Sequence, residues 1–346
     1  MWRTIGQPKA IALFEHSLGA ANLAHAYLLV GPSHIGKTTL ALDLARAVNC
    51  QSNKPPCGEC QSCQRITDGK HADVTIISLN PNRGKGAKLR AEISIDDIRD
   101  LQRSASLPPY EGKYKVFIID GAESLSIEAA NCLLKTLEEP TSSVIIIPLV
   151  SEELRLLPTV ASRCQRIELK PVPADEVEEA LAKVYGLDDD KAKLLARLSQ
   201  GCIGWAVIAS SDDSYLEQRT RYLSQMTSLL SSSWGERFIY AGQLRNDRKA
   251  AEELVNLWLL WWRDVMLAKC DCKQDVTNVD QISTLGKWAQ VLSLQEIYGF
   301  INSLQESLAQ ISRNANIRLI FEILMLDMPR KEYKGGYGIL SVSTIS

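Results

Sequence analysis

The 346-residue sequence has no surplus of either charge, since 39 Lys and Arg face 41 Asp and Glu. A protein that grips nucleic acid unaided does so through a broad basic surface, so that class is excluded, while a few local phosphate contacts within a larger assembly are not. Long apolar runs are also missing. The most apolar stretch, Leu254 to Trp262, is interrupted by Asn256 and falls short of the roughly 20 residues a spanning helix needs. No unit of about 20 to 50 residues recurs, which removes solenoids and propellers. Met1-Trp2-Arg3-Thr4 leads directly into polar, helix-forming sequence, so no secretory leader is expected. The expectation is a soluble, cytoplasmic chain. Its composition, 45% hydrophobic and 23% charged, is that of an ordinary globular protein, and its length allows two or three domains, each with its own core.

The first 170 residues alternate short apolar runs with helical patterns. Strands are expected at Ala26–Val30, Val74–Leu79, Val116–Asp120, Val144–Val150 and Gln165–Leu169. Helices such as Thr38–Val48, Ile95–Ser104 and Ser126–Leu137 lie between them. This order predicts an α/β domain with a parallel sheet and helices on both faces. Pro148 would remove a ladder donor inside the fourth strand, which is expected to end or bulge there. Pro171 and Pro173 mark a boundary, and residues 171–212 read as a small helical lid. Val177, Leu181 and Val184 share one of its faces, and Leu194, Leu195 and Leu198 make another before the stop at Gly201. Residues 213–330 read as all helical, with Leu254, Leu257, Trp258, Trp261 and Val265 forming an apolar stripe. The tail 331–346 has no period and reads as disordered.

Gly31-Pro32-Ser33-His34-Ile35-Gly36-Lys37-Thr38 matches the phosphate-binding pattern G-x-x-x-x-G-K-[ST] without a gap. Gly31 and Gly36 let backbone N–H groups curl around phosphate oxygens, and Lys37 brings a positive charge to the β- and γ-phosphates. Thr38 offers a hydroxyl to Mg²⁺ where the helix through Thr39 begins, so the positive end of its dipole faces the anion. The context is right, a strand before and a helix after. Downstream, Lys115-Val116-Phe117-Ile118-Ile119-Asp120 is an apolar strand ending in an acid, and Asp120 can hold Mg²⁺ through water. ATP or ADP with Mg²⁺ is the expected ligand.

Cys50, Cys57, Cys60 and Cys63 follow the spacing C-x6-C-x2-C-x2-C. Four thiolates this close can surround Zn²⁺ and leave no open position, which makes the expected role structural. Pro55, Pro56 and Gly58 supply the turns. Cys132, Cys164, Cys202, Cys270 and Cys272 have no ligand spacing and are expected mostly as buried small hydrophobes.

Other segments resemble a known family. Ala129-Ala130-Asn131-Cys132-Leu133-Leu134-Lys135-Thr136-Leu137-Glu138-Glu139-Pro140 is similar to the "NALLKTLEEP" signature of bacterial clamp-loader subunits of the AAA+ class. Ser162-Arg163-Cys164, preceded by Leu156-Leu157-Pro158-Thr159-Val160, resembles their "SRC" motif. The cysteine cluster after the phosphate-loop helix, and Asn314-Ala315-Asn316-Ile317-Arg318-Leu319 near the end, are similar as well. The likeness runs from residue 2 to about 328. It implies an AAA+ domain (1–170) with a zinc module (50–63), then a lid (171–212) and a helical collar that joins sister subunits (213–330).

By the same resemblance, Arg163 is an arginine finger reaching into a neighbour's nucleotide site, and Ser151 is a sensor hydroxyl after the fourth strand. Lys135 and the Glu138-Glu139 pair are free for partner contacts. The implied partners are the gamma/tau motor subunits and delta, with the sliding clamp and primer–template DNA reached through the complex. Two departures separate the chain from the motor subunits. Gly121 stands where they carry a catalytic glutamate, and Trp205, within Gly201-Cys202-Ile203-Gly204-Trp205-Ala206, stands where they carry a nucleotide-sensing arginine. An indole donates one hydrogen bond and cannot neutralise phosphate. The expectation is therefore a stator of the delta prime kind within the DNA polymerase III holoenzyme. It would have weak or absent ATPase activity of its own, and the polymerase chemistry would reside in another subunit. An active gamma/tau-type motor would need Glu123 or another acid in place of the missing glutamate. A non-replicative AAA+ remodeller would share the phosphate loop without the loader partners.

Overall fold

A computed structural model describes residues 1–20, 22–79, 92–243 and 247–330. The expectation for the tail 331–346 lies outside these residues. The described chain forms two compact units, residues 1–208 and from Ala209 onward. The lid helices are counted with the first unit.

The first unit runs α1 (Pro8–Gly19), β1 (Tyr27–Val30), α2 (Lys37–Val48), α3 (Gln61–Thr67), β2 (Val74–Ser78), α4 (Ile95–Ala105), β3 (Lys115–Asp120), α5 (Ile127–Glu138), β4 (Val144–Val150), α6 (Pro158–Ala161) and β5 (Gln165–Glu168). Then come α7 (Ala174–Tyr185), α8 (Asp189–Leu198) and the start of α9 (Ile203–Ser211). The five strands are all parallel, in the order β2-β3-β4-β1-β5. Each expected strand is present to within a residue. Alternation along the strands divides the core into two layers. Tyr27, Leu29, Val116, Ile118, Ile145, Ile147 and Leu149 pack with α1 and α2 on one face. Leu28, Val30, Phe117, Ile119, Val144 and Ile146 pack with α4 and α5 on the other. This is the expected α/β domain, a parallel sheet with helices on both faces.

Pro148 does not end or bulge β4. The β3–β4 ladder runs straight through Ile119↔Pro148. On the β1 side, Ile146 N–H donates to His25 O at 2.9 Å before the proline, and Gly31 N–H donates to Val150 O at 3.1 Å after it. In a parallel ladder successive residues bond to opposite neighbours. The missing N–H therefore costs one rung toward β1, and neighbours on both sides hold the strand straight.

In the lid, Val177, Ala180 and Leu181 are buried, while Val184 is 68% exposed. The helix ends one residue later at Tyr185, and Gly186 at φ +68° turns the chain away. Val184 thus lies exposed in the last turn of α7. The five unclustered cysteines are also more open than expected, four of them half-buried and Cys270 exposed. Cys132 Sγ, for example, contacts Gln102 Oε1 at 3.1 Å.

The second unit is helical: the rest of α9, then α10 (Ser214–Leu229), α11 (Trp234–Gln243), α12 (Arg248–Lys269), α13 (Ile282–Val291), α14 (Leu294–Ser312) and α15 (Ile317–Asp327). Its core is centred on α12, where Leu254, Trp258, Trp261, Trp262 and Val265 are buried and Leu257 sits at the margin. Among the described residues no helix is long and apolar enough to cross a membrane.

Arg237 is fully buried in this unit. Its Nε donates to Leu229 O at 2.9 Å, Nη1 to Met325 O and Met328 O at 3.0 and 2.7 Å, and Nη2 to Pro329 O at 2.9 Å. The negative ends of α10 and α15 thus converge on one guanidinium. Arg237→Met strands these carbonyls in a dry interior, at an expected cost of about 3–5 kcal/mol. Urea unfolding followed by tryptophan fluorescence measures this, and an unchanged midpoint would contradict it.

Candidate nucleotide and metal sites

The phosphate loop leaves β1 at the carboxyl edge of the sheet, where ligands of open parallel sheets bind. Gly31 has no room for a side chain, because a Cβ there would lie 2.8 Å from Leu169 O. Gly36 adopts φ +105° and faces open space, so the loop can turn and still let an anion approach its backbone. Lys37, the first residue of α2, is buried. Its Nζ donates to Gly31 O at 2.6 Å, Pro32 O at 2.8 Å and Ser151 Oγ at 3.0 Å, which uses all three of its hydrogens. Burial pushes the Lys37 ammonium below its ordinary pKa, while Glu123, Asp120 and Cys202 pull the other way. A phosphate entering the loop would exchange for Ser151, the most exchangeable of the three acceptors.

The predicted residues converge from three strands. Asp120 ends β3, level with Leu149 of β4, and Ser151 follows β4. Ser33 Oγ lies 3.3 Å from Ser151 Oγ. Ile35 is buried beneath the loop, Thr38 lies half-buried in the first turn of α2, and Pro32, Ser33, His34 and Thr39 are exposed. Two further residues belong here: Glu123, which the sequence offered only as a stand-in for the missing glutamate, and Gly204, to which it gave no role. Glu123 Oε1 accepts the Ser151 backbone N–H at 3.1 Å, and its Oε2 is buried without a hydrogen-bond partner. Gly204 donates its N–H to His34 O at 2.8 Å, and a Cβ at 204 would lie only 2.7 Å from that oxygen. The segment carrying Cys202 and Trp205 is therefore seated on the phosphate loop. Gly121, at φ +79°, offers no side chain where a catalytic carboxylate is expected.

Arg163 stands at the opposite edge of the sheet. It follows α6 and precedes β5, whose Gln165 pairs with Tyr27 at the start of β1. Leu169, which contacts Gly31, lies at the far end of β5 from Arg163, and the four residues of that strand span about 13 Å. The Arg163 side chain cannot reach its own loop. Nη2 instead meets Glu138 Oε1 at 2.5 Å, and Nη1 donates to Thr159 O at 2.9 Å. Glu138 is thus engaged within the chain rather than free.

The four predicted thiols also come together. The Sγ atoms of Cys50, Cys57, Cys60 and Cys63 all lie within 4.8 Å of one another. A tetrahedral site with sulfur ligands at about 2.3 Å has edges of about 3.8 Å. Backbone N–H groups already face the sulfurs: Ser52 and Cys57 toward Cys50 at 3.4 Å each, Cys60 toward Cys57 at 3.3 Å and Cys63 toward Cys60 at 3.5 Å. Such contacts favour thiolates. The N–H groups of Cys60 and Glu59 draw the Cys57 thiol down to about 6, whereas burial pushes Cys63 up to about 12. The donor set fits one metal ion held between α2 and α3.

A family model described as "DNA polymerase III, delta subunit" matches residues 6–173. Among curated proteins, the DNA polymerase III subunit delta' of Bacillus subtilis is 27% identical over 325 residues, covering 92% of this chain and 95% of that protein. The subunit tau of the same organism is 26% identical over 368 residues, covering 99% of this chain. The chain spans 63% of the length of that tau subunit. Among solved structures, a DNA polymerase III gamma subunit-related protein from Thermotoga maritima matches 90% of this chain and 97% of its own, at 20% identity and a TM-score of 0.42.

Proposed function

We propose that the chain is a member of the DNA polymerase III clamp-loader family, as its matches support, and that it is the stator of such a loader, of the delta prime kind. It assembles in the cytoplasm with gamma/tau motor subunits and delta, and it helps the complex open a sliding clamp and close it on primed DNA. Its contribution to chemistry is Arg163, offered to the ATP of an adjacent motor subunit. A guanidinium is always charged and forks onto phosphate oxygens, so it stabilises the charge that spreads over the transferring phosphoryl group.

The observation that carries this reading is the separation within the sheet. The phosphate loop lies at one edge and Arg163 at the other, with the whole length of β5, about 13 Å, between them. An arginine so placed serves a site on another molecule. In its own site, Gly31–Thr39 cradle a nucleotide, Lys37 meets its phosphates, Ser151 senses them, and Thr38 and Asp120 hold Mg²⁺. The ion, when bound, neutralises phosphate charge. With Gly121 and Trp205 in the two critical places, turnover is slow. The four-cysteine cluster takes structural zinc, and the α15 face bearing Leu319, Ile323 and Leu326, each at least 43% exposed, supplies apolar surface for sister subunits in the collar.

Glu123 is a structural feature that favours a gamma/tau-type motor, because its Oε2 is buried without a hydrogen-bond partner beside Ser151. Its Oε1, however, is occupied by the Ser151 N–H, which suits a positioning role for the sensor. Calorimetric titration of ATP and ADP into the isolated chain tests the assignment. Binding is expected, and Lys37→Ala should weaken it roughly ten- to hundredfold, the loss of a charge-assisted contact. Turnover by the chain alone should lie about 10²–10⁴ below that of motor subunits, the worth of a missing general base. Turnover at the motor rate would overturn the stator reading.

A further inference from the structure

We propose that Glu138 is a positioning residue that parks the Arg163 finger, holding it on a carboxylate of its own chain until a neighbour's phosphate takes it over. The inference rests on the reading of Arg163 as a finger acting in trans, and it concerns how that finger is held before use.

Glu138 is the last residue of α5, and Glu139 follows at the C-cap. Carboxylates are disfavoured at a helix C-terminus, where the carbonyl dipoles already present negative charge. Helix stability therefore gives no reason for an acid at position 138. The reason lies across the gap to α6: Glu138 Oε1 meets Arg163 Nη2 at 2.5 Å, with 50% of the glutamate side chain and 36% of the arginine side chain exposed. The other fork of the guanidinium is steadied by Thr159 O. The contacts fix the finger in one orientation at the amino edge of the sheet, on the surface, before any partner arrives.

Exposure makes the pairing suited to release. An exposed ion pair is worth little against solvent, so a polyphosphate, with more charge and three equatorial oxygens, outcompetes a single carboxylate. The parked pair also quenches the charge of a solvent-facing arginine, which would otherwise attract any passing anion. Glu138 thus acts as a weak competitor that phosphate must displace, and the finger engages only where a neighbour's nucleotide is presented at close range.

The test is a reconstituted complex with motor subunits and ATP, assayed with wild-type chain, Glu138→Gln, Arg163→Ala and the double variant. Removing the competitor should raise ATPase kcat/KM at the site facing this chain about two- to fivefold, as the strength of an exposed pair dictates. The gain should shrink as salt is raised, because salt already loosens the pair in the wild type. In the Arg163→Ala background the Gln substitution should do nothing. If Glu138→Gln lowers the rate, or leaves it unchanged while Arg163→Ala lowers it, the parking role is overturned and the finger stands. If Arg163→Ala leaves the rate unchanged, the finger reading fails and the parking role falls with it.

Discussion

Cys63→Ser, or chelation of the metal, is expected to release one equivalent of zinc per chain and to unfold the segment from Cys50 to Thr67 while the sheet stays folded. Cys63 is fully buried, and its Sγ sits 3.9 Å from Arg46 O of α2. The helix α3 has only seven residues and is capped by the Cys60 side chain, so it has little stability of its own. In sites of this kind metal binding supplies folding free energy of about 10–16 kcal/mol, and no apolar core of comparable size exists between the four thiols. Loss of the metal therefore falls on this module first. The rest of the domain is pinned separately: Asn49 Oδ1 accepts N–H groups of Lys113 and Tyr114 at 2.8 and 2.9 Å, and its Nδ2 donates to Tyr114 O. These bonds fix the end of α2 to the start of β3 without any metal. Hydrogen exchange should show protection lost across 50–67 and retained in β3 and β4, with nucleotide affinity nearly unchanged. Retention of protection after complete metal removal would contradict the structural role.

Much of this was legible in the sequence because the signals are local. The phosphate loop is one contiguous motif between a strand and a helix, and the four cysteines fall within 14 residues. The buried strands are apolar runs whose length and flanks leave few alternatives. Pro148 misled because a strand's tolerance for proline depends on the neighbours on both sides, which sequence does not reveal. What was hidden joins residues far apart in the chain. Lys37 and Ser151 are 114 positions apart, and the Gly204 contact with His34 depends on how the lid segment folds back. Glu138 reads as free for partner contacts and Arg163 as a finger for a neighbour, and only the packing of α6 against α5 pairs them. Arg237 belongs to no motif, and it is buried because two helix ends close around it. Burial of a charge is a property of the assembled carbonyls, and no spacing rule announces it.

The second large effect concerns Arg163 itself. In the proposed trans role, an arginine finger is worth about 10³–10⁵ in rate at the site it serves, while sites served by other subunits' arginines are expected to continue to turn over. Bulk ATPase thus falls only in part, and the loss is clearest in single-turnover release of phosphate. Removal of a surface arginine paired with one exposed glutamate should cost the folded chain at most about 1 kcal/mol, so the variant remains folded and assembles. Stability and assembly stay intact while chemistry elsewhere fails. Comparison of wild type and Arg163→Ala in the reconstituted complex, by clamp- and DNA-dependent single-turnover ATPase, is the direct measurement. The trans role predicts an intact complex in which one class of ATP sites loses at least about 10³-fold in rate; equal rates at every site in both complexes would contradict it.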